Sequence, residues 1–157
     1  MKLELRTALE LKANAFIGAT FEELILPEGM IEIPGSMCED CRHLKRVVIP
    51  STLKRIDIGA FCGCEQLSKI EIPDGVEYIG DNTFQGCRSL KHMKLPPKLT
   101  RITSELFDNS GIKTIEIPES VTEIDYWAFF CANRLKSLVI PNSVKQIGRG
   151  IVTAHKC

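Results

Sequence analysis

The sequence has no net charge, no long apolar run and only three histidines. Its 157 residues contain 20 lysines and arginines and 20 aspartates and glutamates. The basic footprint by which proteins bind nucleic acids or anionic membranes is therefore missing. The longest wholly apolar run, residues 126–132, is far shorter than the roughly 20 residues that span a bilayer. Composition thus argues against nucleic-acid binding and against insertion into a membrane.

Six prolines divide the chain into coils of nearly constant length. They lie 23, 23, 23, 22 and 23 residues apart, at Pro27, Pro50, Pro73, Pro96, Pro118 and Pro141. Each closes the same apolar phrase, which in one coil reads Leu67-x-x-Ile70-x-Ile72. The alternation within the phrase predicts a short strand with one buried face, and proline ends the strand because it has no N–H to donate. A fixed period of this kind predicts a stacked repeat protein.

The second half of each coil is as regular as the first. Aliphatic residues three positions apart, such as Leu53 and Ile56, predict a second inward ridge. The residue after the isoleucine, here Asp57, is of a type that tolerates tight or positive-φ backbone. A phenylalanine then fills the corner of four coils, at Phe61, Phe84, Phe107 and Phe129. Since one coil cannot shelter these side chains from water, stacked neighbours must supply the core.

These residues resemble the repeats of the BspA-like leucine-rich-repeat family, including its treponemal 23-residue class. The stretch Leu67 to Cys87, LSKIEIPDGVEYIGDNTFQGC, follows the family phrase L-x-x-I-x-I-P-x-x-V-x-x-I-G-x-x-A-F-x-x-C almost position for position. The resemblance implies a β-rich repeat solenoid, a right-handed leucine-rich-repeat coil with a parallel β-sheet on its concave face. It also implies a protein-binding module, since many members are surface proteins that bind host proteins or other cells. Fold alone does not fix function.

The repeat predicts a single leucine-rich-repeat domain over residues 1–157, with about 6.5 repeats. The first coil, residues 1–23, is degenerate, and the last, residues 138–157, is truncated. Neither end has a recognisable polar cap, so the alternatives are a longer array and a homo-oligomer. The first residues, MKLELR, carry charges where an export signal would be apolar, whereas the family resemblance implies a surface or secreted protein. The compartment therefore stays open.

Two places depart from the family phrase and predict local irregularity. In the second coil Cys38 stands where the corner phenylalanine belongs, and Pro34 replaces a glycine. Further along, one residue is missing between Ser110 and Ile112. We expect the backbone to be distorted in the second coil and at this junction.

The outward residues of the strands, called the strand face below, form the first candidate binding surface. Parallel strands lie about 4.8 Å apart, so equivalent residues of successive coils form rows. The basic residues of these rows are Lys45, Arg46, Lys69, Lys91, His92, Lys94, Lys113 and Lys136. An acidic patch on a partner protein fits such a ladder. The alternative is that solubility alone favours charge on an exposed sheet.

Three aromatic residues of one coil, called the aromatic edge below, form the second candidate surface: Tyr126, Trp127 and Phe130. The equivalent positions of other coils are mainly polar, so the rings are predicted to face outward. Clusters of exposed aromatic residues are typical anchors of protein interfaces. The alternative is a remodelled turn in which the missing residue before Ile112 lets the rings fold inward.

Seven cysteines raise the question of a thiol or metal site. Cys41, Cys64 and Cys87 share one repeat position and are predicted to form a buried column of free thiols, because parallel Cβ vectors disfavour a disulfide. The odd count leaves at least one unpaired thiol, which is compatible with a reducing compartment. Cys38, Cys41, Cys62 and Cys64 resemble four zinc ligands. The repeat phase points Cys62 away from the others, so no metal site is predicted.

No group of residues fits a catalytic centre. Only His92 among the three histidines is predicted to project from the strand face, and no cysteine shares its row to form a nucleophile pair. Glu71 and Glu116 share a row at about 10 Å with Lys94 between them, which favours a charge ladder over a glycosidase pair. The sequence therefore predicts a non-catalytic protein-interaction module without a cofactor. The alternatives are a self-assembling structural protein and a thiol or zinc protein.

Overall fold

The computed structural model describes residues 1–7 and 10–152 and shows a parallel β-solenoid of about six turns. The predicted repeat solenoid is thereby confirmed. The predicted last coil falls within the described residues only as far as Val152, and residues 8–9 of the first coil also lie outside them. The described residues form strands, turns and loops, with no helix that could cross a membrane.

Two rows of short strands run along the solenoid, one for each half of the coil. The first row follows the apolar phrase and contains β1 (Lys2–Glu4), β2 (Glu23–Ile25), β4 (Arg46–Val48), β6 (Lys69–Ile70), β8 (His92–Lys94) and β10 (Thr114–Glu116). The second row contains β3 (Glu32–Ile33), β5 (Arg55–Ile56), β7 (Tyr78–Ile79), β9 (Arg101–Ile102), β11 (Glu123–Ile124) and β12 (Gln146–Ile147). The sequence predicted only an inward ridge for the second half, and backbone pairing makes that ridge a second ladder.

Strands of one row pair in parallel, in register, one coil apart. Leu24 pairs with Val47, and Ile33 pairs with Ile56. The first row divides into β1-β2-β4-β6 and β8-β10, and the second into β3-β5-β7 and β9-β11-β12. Within the described residues, no strand pairing in either row joins the fourth coil to the fifth. The corners hold the stack at this point, where the Phe84 N–H donates to the Leu106 carbonyl at 3.1 Å.

The core is a column of layers with a phenylalanine stack at the corner. Phe61, Phe84, Phe107 and Phe129 are at most 1% exposed. Their ring centroids are 6.0, 5.8 and 5.4 Å apart, with interplanar angles of 8°, 11° and 13°. These spacings lie within the range of favourable aromatic pairs. Each ring therefore shelters the next, and the stacking predicted from the sequence is confirmed.

The corner of each coil requires two residues with left-handed backbone, four positions apart. In the third coil these are Gly59 and Gly63, with φ of 64° and 72°. Gly59 lies two positions beyond Asp57, the residue at which the sequence analysis predicted tight or positive-φ backbone. Asn82 and Asp40 take up left-handed positions in other coils, and both types tolerate this conformation better than most residues. The turn is thus specified by small and polar residues after the second strand.

The two departures from the phrase disturb the backbone less than predicted. In the second coil the Cys38 N–H donates to the Ala60 carbonyl at 2.8 Å, and β3 pairs in register with β5. At the junction the Gly111 N–H donates to the Cys87 carbonyl at 3.0 Å, and β8 and β10 remain in register. One local cost is visible, since the buried Ser110 Oγ has no hydrogen-bond partner among the described residues. Because Gly111 has no side chain, the shortened junction can lie close to the Arg88 backbone while β8 and β10 stay in register.

The buried cysteine column predicted from the sequence is confirmed. Cys41, Cys64 and Cys87 are fully buried and have free thiols. Each thiol donates to a backbone carbonyl of the preceding coil, as Cys64 does to Cys38 at 3.1 Å and Cys87 to Phe61 at 3.3 Å. The column therefore adds a line of weak side-chain hydrogen bonds along the axis.

Alkaline pH is expected to destabilise the fold through two of these thiols. Burial raises the pKa of Cys64 and of Cys87 well above the ordinary value, whereas in the unfolded chain both ionise near pH 8.5. Above that pH the folded chain binds more protons than the unfolded chain. The contribution of each thiol is therefore intact below about pH 8 and is lost as the pH rises, by about 1.4 kcal/mol per pH unit. Urea unfolding between about pH 7 and pH 10 measures the loss.

The control is the double variant Cys64→Ala, Cys87→Ala, because the sixth coil already has Ala132 at this position. The variant is expected to be less stable at neutral pH but to lose less stability per pH unit above about pH 9. Other groups that titrate in this range do so in both proteins. Equal slopes for the two proteins would contradict the assignment.

Candidate functional site

The aromatic edge lies on the corner that follows β11, at the outer surface of the sixth coil. Tyr126 and Trp127 are 56% and 45% exposed, and Phe130 is half-buried. The structure therefore places the Tyr126 and Trp127 rings outward, as the sequence analysis expected, whereas the Phe130 ring is only partly exposed. Phe129, which lies between Trp127 and Phe130 in the sequence, belongs to the core stack.

Trp127 occupies a backbone position that disfavours a bulky side chain. Its φ is 55°, in the left-handed region. The same position in other coils is filled by Ser36, Gly59, Asn82, Glu105 and Gly150. A tryptophan here costs about 1 kcal/mol of backbone strain. Strain of this kind persists only where the surrounding structure holds the residue in place.

Contacts with the next coil and with Phe130 hold the indole in place. The backbone N–H of Trp127 donates to the Arg149 carbonyl at 3.1 Å, and the backbone carbonyl of Trp127 accepts from the Phe130 backbone N–H at 2.9 Å. A Cβ at Gly150 would lie only 2.7 Å from the Trp127 ring, so the indole rests directly on glycine backbone. The Trp127 and Phe130 rings meet edge to face with centroids 6.5 Å apart. The exposed ring is thus pre-positioned, which lowers the entropic cost of binding.

An ion pair between an exposed arginine and a buried carboxylate lies at the start of this corner. Asp125 is 5% exposed, and the Arg101 guanidinium of the preceding coil grips its carboxylate with Nε and with Nη2, the latter at 2.7 Å. Bidentate geometry of this kind is directional as well as strong. The hydrogen bond to Asp125 raises the pKa of Arg101, so the guanidinium stays charged.

Beside the aromatic edge lie two carboxylates that the sequence analysis did not single out. Glu105 and Asp108 occupy in the fifth coil the positions of Trp127 and Phe130 in the sixth. The Gln85 amide nitrogen donates to both, at 3.0 Å to Glu105 and 2.7 Å to Asp108. Neither carboxylate has an ion-pair partner among the described residues. We call Glu105 and Asp108 the acidic corner; a row-by-row comparison of the coils would have found it.

The strand face is less basic than its sequence row suggested. Three of its cations are neutralised by carboxylates of a neighbouring coil: Lys45 with Glu22 at 3.2 Å, Arg46 with Glu23 at 2.6 Å and Lys94 with Asp74 at 2.9 Å. His92 Nδ1 lies 2.8 Å from Thr114 Oγ1. The strand-face lysines without an ion pair among the described residues are Lys69, Lys91, Lys113 and Lys136.

Three of these lysines form a ladder, and a groove opens beside them. The Lys113 N–H donates to the Lys91 carbonyl at 2.9 Å, and the Lys136 N–H donates to the Lys113 carbonyl at 3.0 Å, so the three stand on successive coils. The groove has a volume of about 1480 Å³, runs across β4, β6, β8 and β10, and includes both Glu71 and Glu116 in its lining. The strand face therefore offers mixed charge around an open concavity.

The four cysteines that resemble zinc ligands do not share one environment. Cys38, Cys41 and Cys64 are fully buried, whereas Cys62 is half-buried with its thiol 3.5 Å from the Gln85 side-chain oxygen. Across residues 1–7 and 10–152, no three side chains of histidine, cysteine, aspartate or glutamate are arranged to hold a metal ion.

Comparison with known proteins gives one family and several related folds. The sequence pattern of the BspA type leucine rich repeat region matches the chain in six copies, over residues 9–133 and 54–154. A leucine rich cell surface protein of Faecalibacterium prausnitzii is 26% identical with a TM-score of 0.84, over 94% of this chain and 43% of that one. The leucine rich repeat protein of T. pallidum is 24% identical with a TM-score of 0.89, over 96% of this chain and 74% of that one.

A leucine-rich repeat protein of Bacteroides ovatus is 23% identical with a TM-score of 0.66, over 96% of this chain and 48% of that one. The chain thus spans less than half of the Faecalibacterium and Bacteroides proteins. No curated protein matches it. These likenesses agree with the stacked architecture described above.

Proposed function

Because the chain belongs to the BspA-type leucine-rich-repeat family, we propose that it is a protein-interaction module that docks its partner on the aromatic edge. The observation that carries the proposal is Trp127, a large exposed ring held at a left-handed backbone position. A side chain that carries backbone strain and is still 45% exposed is best explained by a role at the surface. Tryptophan and tyrosine are also the residues most enriched among binding hot spots.

The finer proposal is adhesion to a protein of a host or of another cell. Its support is the Faecalibacterium relative, which is a cell surface protein of which this chain covers 43%. A solenoid suits such a role because a surface built on stacked coils is already ordered before the partner arrives. The strand face, with its lysine ladder and groove, is a second surface available to a different partner.

Loss of the two edge rings is expected to abolish capture of the partner. The wild type and the double variant Trp127→Ala, Phe130→Ala are immobilised and exposed to extracts of candidate partner cells. We expect the double variant to retain about a tenth or less of the partner that the wild type retains, because truncated hot-spot aromatics cost 2 kcal/mol or more. Quantified recovery of the captured protein is the measurement.

The matched control removes cations from the strand face instead, as Lys91→Gln, Lys113→Gln, Lys136→Gln. This variant is expected to recover the partner as well as the wild type does. Circular dichroism and a urea titration of each variant establish that the solenoid is intact. Recovery of the same partner in equal amount by the wild type and the double aromatic variant would contradict docking on the edge.

A second candidate function is self-assembly. It is favoured by large apolar side chains that remain exposed in the last described coil, namely Val139, Ile147 and Val152. Molar mass from light scattering at several concentrations separates the two functions. The docking proposal expects one constant mass, whereas self-assembly expects a mass that rises with concentration.

A further inference from the structure

We infer that the aromatic edge and the acidic corner form one composite site for a cationic segment of the partner protein, with an arginine or lysine over Trp127 and beside Glu105 and Asp108. The inference rests on the proposed function and adds the chemistry of the occupant. It is carried by three features: the contiguity of the two groups, the unbalanced charge, and a copy of the same arrangement elsewhere in the chain.

The two groups are contiguous because they lie on adjacent coils. The Glu105 N–H donates to the Tyr126 carbonyl at 3.1 Å, and the Asn109 N–H donates to the Phe130 carbonyl at 2.8 Å. Equivalent residues of adjacent coils are about 4.8 Å apart. A cation within about 6 Å of the indole centroid, the range of a cation–π contact, is thus also within reach of the Glu105 carboxylate.

The acidic corner has charge to offer. Its two carboxylates share a single neutral donor, the Gln85 amide, and so retain most of their acceptor capacity. Their negative charge also acts on the Cys62 thiol. The pKa of Cys62 is raised to about 11, first by burial and then by the carboxylates of Glu39, Asp40, Glu105 and Asp108. Glu105 and Asp108 therefore place negative charge on the corner of the coil next to the aromatic edge.

The same chemistry is already satisfied internally at another point of the solenoid. The Arg55 guanidinium lies 3.9 Å from the centroid of the Tyr78 ring. The same guanidinium contacts the Asp57 carboxylate at 3.1 Å and the Glu32 carboxylate at 3.6 Å. An aromatic face and two carboxylates on neighbouring coils thus hold one arginine. At the aromatic edge the ring and the two carboxylates are present, and the guanidinium is the part that a partner would supply.

An occupant of mixed character fits better than a purely charged one. Tyr126 and Phe130 flank Trp127 with apolar surface that an aliphatic side chain can cover. A segment that alternates arginine with leucine would place its cation on Trp127 and its aliphatic groups on the neighbouring rings. An acidic segment is repelled by Glu105 and Asp108.

The experiment uses the single tryptophan of the chain as its own reporter. Trp127 fluorescence is titrated with a peptide of about twelve residues that alternates arginine with leucine, and separately with a peptide in which glutamate replaces arginine. We expect a saturable change with the arginine peptide and at least a tenfold weaker response with the glutamate peptide. Raising the salt to about 0.5 M is expected to weaken arginine-peptide binding severalfold.

Matched variants locate the site, with a dye-labelled arginine peptide as the probe. Glu105→Gln, Asp108→Asn keeps the shape and the acceptor groups but removes two charges, and we expect about tenfold weaker binding. Glu71→Gln, Glu116→Gln removes the same charge from the strand face and is expected to bind as the wild type does. Trp127→Asn, which introduces the residue found at Asn82 in the fourth coil, keeps the turn and is expected to lose binding.

The outcomes separate this inference from the proposed function. Equal binding of the two peptides, or of the two charge variants, overturns the cationic occupant. If capture of a protein partner still depends on Trp127 and Phe130 in that case, the docking function stands with a different occupant. If neither peptide binding nor capture depends on these residues, both the inference and the docking function fail.

Discussion

Replacement of Phe84 with alanine is expected to lower the free energy of unfolding by about 4 kcal/mol. Phe84 is fully buried, and its ring stacks on Phe61 at 6.0 Å and on Phe107 at 5.8 Å. Its removal opens a void against the rings on both sides. Strand pairing does not offset the loss between the fourth and fifth coils, because no strands are paired there in the described chain. Urea unfolding followed by circular dichroism measures the loss.

The control for this prediction is Tyr126→Ala, which removes a ring from the surface. Tyr126 is 56% exposed, so the change is expected to alter stability by no more than about 0.5 kcal/mol. A small loss for Phe84→Ala, comparable to that of the control, would show that the phenylalanine stack does not hold the coils together.

Replacement of Gly111 with alanine is expected to cost about 3 kcal/mol. A Cβ at this residue would collide with the Arg88 carbonyl oxygen and would lie 2.7 Å from the carbonyl carbon. The obstacle is backbone of the preceding coil, so no side-chain rotation relieves it. The junction that lacks one residue must then open, and the register of β8 with β10 is expected to suffer with it.

Gly75→Ala is the matched control for Gly111→Ala. The nearest atom to a Cβ at Gly75 is the flexible Lys54 Nζ at 3.1 Å, which can move aside. We expect a change within about 0.5 kcal/mol, since reduced entropy of the unfolded chain offsets the small contact. Similar losses at Gly75 and Gly111 would mean that close coil contact is not what requires Gly111.

Most of the fold could be predicted because the stacking leaves a periodic record in the sequence. Proline spacing set the coil length, and the positions of Phe84 and Cys87 set the inward layers, which the structure confirms. The second strand row was missed because its strands are two residues long, as in Tyr78–Ile79, and are defined by pairing rather than by alternation. The distortion expected around Cys38 did not occur, because the backbone ladder to the next coil does not depend on which side chain fills the corner.

The candidate site was predictable in part. A row comparison identified the outward positions of Tyr126 and Trp127, since aromatic residues there break a polar pattern. The ion pair of Lys45 was predictable, because Glu22 is the equivalent residue of the preceding coil, but the row was followed only from Lys45 onward. The ion pair of Lys94 was not predictable from its own row, because Asp74 stands in another row of the preceding coil. The left-handed backbone of Trp127 was also invisible, because it depends on a turn that begins two residues later than the pattern indicated.

The unpaired seam between the fourth and fifth coils has a mechanical consequence. Flexing the solenoid there breaks the fewest interstrand bonds in the described chain, so deformation concentrates at that joint. The groove of the strand face straddles the joint, with β6 on one side and β8 on the other. The affinity of a ligand in that groove is therefore expected to depend on how far the molecule is bent at the joint. Trp127, Glu105 and Asp108 all lie on the same side of the joint, so bending there leaves their relative positions unchanged.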